Sequence, residues 1–294
     1  MVAYPPGGVS DAIARAIAEK LALQLGVPVL VDNRAGAGGS VAIDALAKSP
    51  ADGYTLCFSA ITPLTLLPHL GPVNYDPVRD IAPVASVMST PVLLVATPAL
   101  DVRTFAAMLA AAREKPGRVR WATSGQGTTG HMVLEQVRKA TGTDITHIPY
   151  KGGGQQLNDA LGGQFEVLST NVGAVQLGYI DSGRFKPLAV GAPARLAVLP
   201  DVPTLAELGV PQANLVSLFG LFAPSGTPAA VVRRLNTEVN RVLALPEMRE
   251  RMQSVNNLPS GGSAAGFARV IAEDSERSRR ALLEDEGTQR PGGR

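Results

Sequence analysis

Apolar side chains recur four residues apart at Ile13, Ile17, Leu21 and Leu25, which puts them on one face of a helix over residues 10–25. Ser10 or Asp11 stands where an N-cap belongs, and Gly26 stands where a glycine closes a helix. Val27 to Val31 then reads as a strand, Asp32 to Ser40 as a glycine-rich loop, and Val41 to Lys48 as a short helix. After the turn Pro50-Ala51-Asp52-Gly53, the run from Tyr54 to Phe58 reads as a buried strand. Helices and strands alternating in this way predict a parallel α/β sheet.

The middle of the chain repeats the order. Val119 to Thr123 is a predicted strand, Ser124 to Thr129 a polar glycine loop, and residues 130–140 a helix closed by Gly142. Ile145 to Tyr150 is the next strand, and Lys151-Gly152-Gly153-Gly154 opens a helix that ends near Gly162. A strand from Phe165 to Ser169, a helix over 174–182 and a strand from Lys186 to Val190 follow. Two stretches with one element order predict two doubly wound α/β domains. The apolar runs Val92 to Ala96 and Leu218 to Ala223 both end near prolines and read as crossover strands between them. Helical patterns over 228–243, 246–254 and 264–283 complete the chain. If these helices return to the first domain, it comprises residues 1–96 plus 224–294, the second comprises 97–223, and the crossovers form a hinge. The polar tail 284–294 is expected to fray.

Composition narrows the partners. Hydrophobic residues make up 45% and charged residues 18%, a globular balance with ample apolar surface for a core. Lys plus Arg is 27 against 25 for Asp plus Glu, and so small an excess builds no cationic stripe for nucleic acid. The one cysteine, Cys57, excludes an internal disulfide and a thiolate cluster, and its neighbours Leu56 and Phe58 predict that it is buried. His69, His131 and His147 show no metal-ligand spacing, so neither metal nor cofactor is expected. No apolar run reaches the roughly 18 residues of a membrane span. The first residues carry no charged or apolar leader, so the chain as it stands is expected to lack a signal peptide.

Three loops hold candidate chemistry. Tyr4-Pro5-Pro6-Gly7-Gly8 precedes the first helix, where free N–H groups and the helix dipole suit a carboxylate or phosphate. A glycine turn that only lets strand and helix pack closely accounts for the same residues. Ser124, Gly127, Thr128 and Thr129 concentrate hydroxyls and N–H groups at another helix start, suiting either anion capture or a cap without ligand. Gly36, Gly38 and Gly39 match part of a dinucleotide fingerprint, but no acidic residue ends the next strand to hold a ribose. His131 follows Ser124 closely, yet no nucleophile elbow and no orienting carboxylate accompany them, so no catalytic residue is predicted.

The runs Tyr4-Pro5-Pro6-Gly7-Gly8-Val9-Ser10-Asp11, Val31-Asp32-Asn33-Arg34-Ala35-Gly36-Ala37-Gly38-Gly39 and Asp52-Gly53-Tyr54-Thr55-Leu56 together resemble the substrate-binding receptors of tripartite tricarboxylate transporters, the Bug family. Gly125-Gln126-Gly127-Thr128 with His131, Pro149-Tyr150-Lys151-Gly152-Gly153, Leu199-Pro200-Asp201-Val202-Pro203-Thr204 and Ala223-Pro224-Ser225-Gly226-Thr227-Pro228 extend the resemblance in order along nearly the whole chain. It implies a two-domain, hinged periplasmic binding protein of the type II, Venus-flytrap kind, without catalysis. The implied ligand is a small mono-, di- or tricarboxylate or an amino acid, and the implied partners are membrane transporter subunits, with the receptor a monomer. The resemblance further implies that Tyr4, Pro6, Gly7 and Gly8 meet one carboxylate, with Ser59 and Thr62 beside them. Ser124, Gly127, Thr128, Thr129 and His131 then close from the second domain, with Asn171 and Val172 near the opening.

Departures from the family pattern add expectations. Only Met1-Val2-Ala3 precedes Tyr4, where relatives carry an export signal and a full strand, so the first strand is expected to be short. Leu218-Phe219 stands where relatives have tryptophan, and Thr128 where they have serine. Gly8 is expected to need glycine's backbone freedom, so that Gly8→Val would obstruct the carboxylate. A sensor for a membrane signalling partner fits the same features as a transport receptor. A small hydrolase or transferase is the weaker rival, since no positioned base and nucleophile are evident.

Overall fold

The computed structural model describes the backbone of residues 1–288 and side chains through Leu283. Helix α1 (Val9–Leu25) buries Ile13, Ile17 and Leu21 on the face that their spacing defines. Its N-cap is Gly8, so Ser10 and Asp11 lie inside the first turn and cap nothing at their own positions. After α2 (Ser40–Ala47) and β1 (Cys57–Ala60), the short helices α3 (Thr62–Thr65) and α4 (Leu67–Leu70) lead into the long strand β2 (Ile81–Ala96). Next come α5 (Phe105–Glu114), β3 (Arg120–Thr123), α6 (Thr129–Thr141), β4 (Thr146–Pro149) and α7 (Gly153–Leu161). They are followed by β5 (Val167–Asn171), α8 (Ala174–Asp181) and β6 (Lys186–Gly191). Strand β7 (Val216–Pro224) precedes α9 (Ala229–Ala244), α10 (Pro246–Gln253), β8 (Leu258–Pro259) and α11 (Ala264–Thr288). The tail expected to fray is helical over 284–288, and 289–294 lie outside the described residues.

One connected sheet runs β1-β7-β2-β5-β3-β4, with β6 and β8 also paired to β2. The parallel expectation holds for β3 with β4 and with β5. It fails for β2, which runs antiparallel to β5, β6, β7 and β8, and for β1 with β7. The reason is connectivity. Strand β2 carries the chain out of one half of the sheet and β7 carries it back, so these neighbours must point in opposite directions.

Residues 81–91 of β2 pair with β7, whereas residues 92–96 are flanked by β5 and β6. In the second stretch, Val92, Leu94 and Ala96 join a core with Trp121 and Leu134, while Leu93 and Val95 face Phe165 and Phe185. A strand buried on both faces explains its unbroken apolar run. The other half of the sheet has two cores of its own. Phe58, Phe219 and Leu221 pack with Ile13 and Val239, and Cys57, Phe222 and Phe267 pack with Ile43.

Val27 to Val31 is not a strand. Pro28 has no N–H to give a ladder, and Leu30 is 86% exposed. The short run Met1-Val2-Ala3 takes its place between the neighbouring segments. Val2 N–H donates to Asp32 O at 2.7 Å, Arg34 N–H to Val2 O at 2.8 Å, and Ala3 N–H to Phe58 O at 3.1 Å. Among the described residues no helix is long and apolar enough to cross a membrane.

Candidate functional site

Four helices begin at one cavity of about 340 Å³. Its wall includes Gly8 and Val9 of α1, Thr128 and Thr129 of α6, Gly153 and Gly154 of α7, and Gly173 and Ala174 of α8. The N-caps of α1, α7 and α8 are Gly8, Gly152 and Gly173, none of which has a side chain to cap with. The first-turn N–H groups of these helices have no intrahelical partner. Only α6 is capped, by Thr128 Oγ1, which accepts from His131 N–H. Each helix start carries roughly half a positive charge. No acidic side chain lines the cavity among the described residues, and Arg251 is its one charged residue. A second hollow of about 780 Å³ lies between α6 and α11 and shares only Thr62 and Thr129 with the first.

The loop before α1 is anchored by Asp11. Its carboxylate accepts from Gly7 N–H at 3.0 Å, from Arg15 Nε at 3.0 Å and from Asn33 Nδ2 at 2.9 Å. Burial acts to raise the Asp11 carboxyl, but these bonds outweigh it and hold the group below the usual carboxylate range. Asn33 also donates to Tyr4 O at 3.0 Å, tying the loop at both ends. Burial pushes the Tyr4 phenol up to about 12, so at neutral pH it keeps its proton. The left-handed residue here is Gly7, at φ 85°. Gly8 has φ −86° and ψ 173°, which any residue adopts, and a Cβ there would meet only Pro5 O at 4.0 Å. The conformational argument for glycine therefore belongs to Gly7. Gly8 matters because it lines the cavity with its backbone.

Of the residues anticipated from sequence, Tyr4, Gly7, Gly8, Thr62, Ser124, Thr128, Thr129 and Asn171 meet at this cavity. Thr62 Oγ1 is buried without a partner. Pro6, Ser59, Gly127, His131 and Val172 are not part of its wall. Pro6 is exposed in the turn, Ser59 is fully buried on β1 near the Tyr4 hydroxyl, and Val172 is fully buried in the Phe165 core. Gly127 packs towards Leu67, and His131 stands behind the loop.

Comparison with known proteins gives this arrangement a lineage. Residues 13–287 match the family described as the tripartite tricarboxylate transporter family receptor. The chain belongs to this family. It is similar to BugT of Bordetella pertussis, with 40% identity over 83% of this chain and 75% of that protein. An R. palustris protein solved with adipate superposes with a TM-score of 0.89 at 33% identity, covering 95% of this chain and 94% of the other. MatC from Rhodopseudomonas palustris, solved with bound malate, gives 0.88 at 28% identity, covering 95% and 96%. The family is one of receptors, not of enzymes. The molecule is accordingly a solute-binding receptor.

In the receptor, His131 and His147 stack behind the Ser124–Thr129 loop with ring centroids 4.3 Å apart. His131 Nδ1 accepts from Gly127 N–H at 3.1 Å. The Thr123 hydroxyl donates to Gly125 O, so it accepts from His147 Nε2–H at 2.8 Å. The two imidazoles thereby pin Gly125 and Gly127. Burial first, and then the neighbouring His131, pushes His147 down to about 4. The hydrogen bond from His131, aided by Arg138, holds Glu135 below the usual carboxylate range.

Because His147 is neutral when folded but protonates near its ordinary 6.5 when unfolded, its contribution is complete above that pH. It is lost as pH falls from 6.5 towards 4, by an amount on the order of 1–2 kcal/mol after allowing for partial exposure. Urea unfolding at a series of pH values is expected to show this slope, and His147→Gln to flatten it. An equal slope in both proteins would assign it to another group.

Several wall residues escape a reading of the sequence. Gly153, Gly154 and Gly173 carry the same signal as Gly7-Gly8, glycine at a helix start, and were detectable on that ground. Gln156, which is buried and donates to Ser169 O at 3.1 Å, has no local signal, and neither do Arg251 and Asn257.

Proposed function

We propose that this receptor captures a small carboxylate at the four helix starts, between two lobes that close over it, and presents it in the periplasm to the membrane subunits of a tripartite transporter. The observation that carries the reading is the convergence of α1, α6, α7 and α8 on a cavity that no acidic side chain lines among the described residues. Free N–H groups and aligned helix dipoles favour an anion there. With no acidic wall residue among the described residues, the ammonium of an amino acid finds no countercharge there, so plain carboxylates are the favoured class. The adipate and malate held by related receptors agree with that class.

The lobes are proposed as residues 1–96 with 224–294, and 97–223. Helix α9 packs on α1 and β2, and α11 on β2 and α3, in keeping with a return of the C-terminal helices to the first lobe. Strands β2 and β7 are the two connections about which the lobes would turn. A thermal-shift screen of mono-, di- and tricarboxylates and amino acids tests the reading. A ligand at about 100 times its Kd adds roughly 2.7 kcal/mol of stability. Carboxylates are expected to raise the melting temperature, and a screen in which none does so overturns the proposal.

A further inference from the structure

The cavity wall also carries polar groups that the helix starts do not explain, on the segment that contributes Arg251, Ser254 and Asn257. Asn257 lines the cavity, is fully buried, and has neither Oδ1 nor Nδ2 paired. Asn256 takes φ 56°, and Asn257 N–H donates to Met252 O at 2.9 Å. Strand β8 pairs with β2 through Leu258 opposite Ser89 and Pro259 opposite Met88. Carried one residue further, that register sets Asn257 opposite Thr90, another fully buried residue whose hydroxyl has no partner. On its other side Thr90 pairs with Ser217, which also lines the cavity and accepts from Asn171 Nδ2 at 3.2 Å.

Leaving such groups unpaired costs stability that an apolar residue of the same shape would not lose. A buried amide and a buried hydroxyl with no charge among them suit a neutral ligand group that both donates and accepts. An ionised carboxylate would satisfy Nδ2 but would set its charge against Oδ1. A hydroxyl donates to Oδ1 and offers its lone pairs to Nδ2 or to Thr90. The wall residues on α1 alone run from Gly8 to Ile13, a rise of roughly 7 Å, which leaves length for a ligand chain of about four to six carbons.

We propose that Asn257, supported by Thr90, is a specificity-determining subsite for a hydroxyl at the far end of the ligand, so that the preferred solute class is a hydroxy-carboxylate. This rests on the carboxylate reading above.

Calorimetry with ω-hydroxy acids such as γ-hydroxybutyrate, their parent acids such as butyrate, and dicarboxylates of the same lengths tests it. At the best-fitting length the hydroxy acid is expected to bind at least about tenfold more tightly than its parent and than the dicarboxylate. Asn257→Leu is expected to abolish that preference and to leave the ligand-free melting temperature equal or higher. A purely structural Asn257 would instead lower that temperature. Should Asn257→Leu fail to fold, Thr90→Val serves as the second variant, and the comparison within the unmodified receptor stands without either. Equal binding of hydroxy and parent acids, tighter binding of the dicarboxylate, or a preference that survives Asn257→Leu overturns the subsite while leaving the carboxylate reading intact. Binding of no acid in the panel overturns both.

Discussion

Gly152→Ala is expected to weaken carboxylate binding about thirtyfold, or roughly 2 kcal/mol, by holding the two proposed lobes apart. Gly152 caps α7 with φ 150° and ψ 176°, a conformation open essentially to glycine alone. A Cβ at that position would lie 2.1 Å from Pro5 Cδ and 2.5 Å from Pro5 Cγ. The pyrrolidine ring cannot swing aside as a flexible side chain does. Pro5 belongs to the loop that carries Gly7 and Gly8, so the methyl would separate the start of α7 from the start of α1. Gly38 makes a similar contact, since a Cβ there would stand 2.7 Å from Gln126 O.

Backbone strain of about 1–3 kcal/mol would lower stability whether the lobes are open or closed, so a control is needed. Gly142 ends α6 with φ 62° and has no atom within 4 Å of a Cβ. Gly142→Ala is therefore expected to cost stability without affecting affinity. Calorimetry measures the affinities, and small-angle scattering should show Gly152→Ala more extended than the parent in the presence of ligand. Full affinity in a folded Gly152→Ala protein would mean that these loops do not need to meet for binding.

Trp121→Ala is expected to cost about 3–5 kcal/mol, a large share of a typical total of about 5–15 kcal/mol. Trp121 has no exposed surface and packs with Phe105, Met108, Val133, Val137 and Leu188 between β3 and the helices that cover it. Truncation leaves a cavity that rigid neighbours cannot close. At about 2–4 °C per kcal/mol, the melting temperature should fall by roughly 10 °C. Trp121→Phe should cost much less, because the indole Nε1 has no hydrogen-bond partner to lose. Circular dichroism is the appropriate readout, since Trp121 is the protein's one tryptophan and the tryptophan fluorescence signal would be lost with it. Equal losses in the two variants would show that the indole contributes something other than packing. Because β3 runs directly into Ser124, the alanine variant is also expected to bind ligand more weakly.

Local order along the chain was largely written in the sequence. Helix α1 follows from the spacing of Ile13, Ile17 and Leu21, and the return of the pattern after Val119 follows from glycines that precede helices. Cys57 is buried, as its neighbours implied. These features depend on contacts a few residues apart, which periodicity and capping chemistry report directly. The same logic identified the two glycine loops at which α1 and α6 begin. What no local pattern contained was pairing between distant segments. Strand direction depended on β2 and β7 passing between the halves in opposite senses, and Val27 to Val31 lost its strand because Pro28 has no donor to give. Whether a polar residue is solvated or enclosed is likewise decided by what packs over it. Four helix starts share one cavity, and Asn257 is buried at its wall, because segments far apart in the chain assemble around it. Such burial is a property of the assembled sheet and has no signature in the residues on either side.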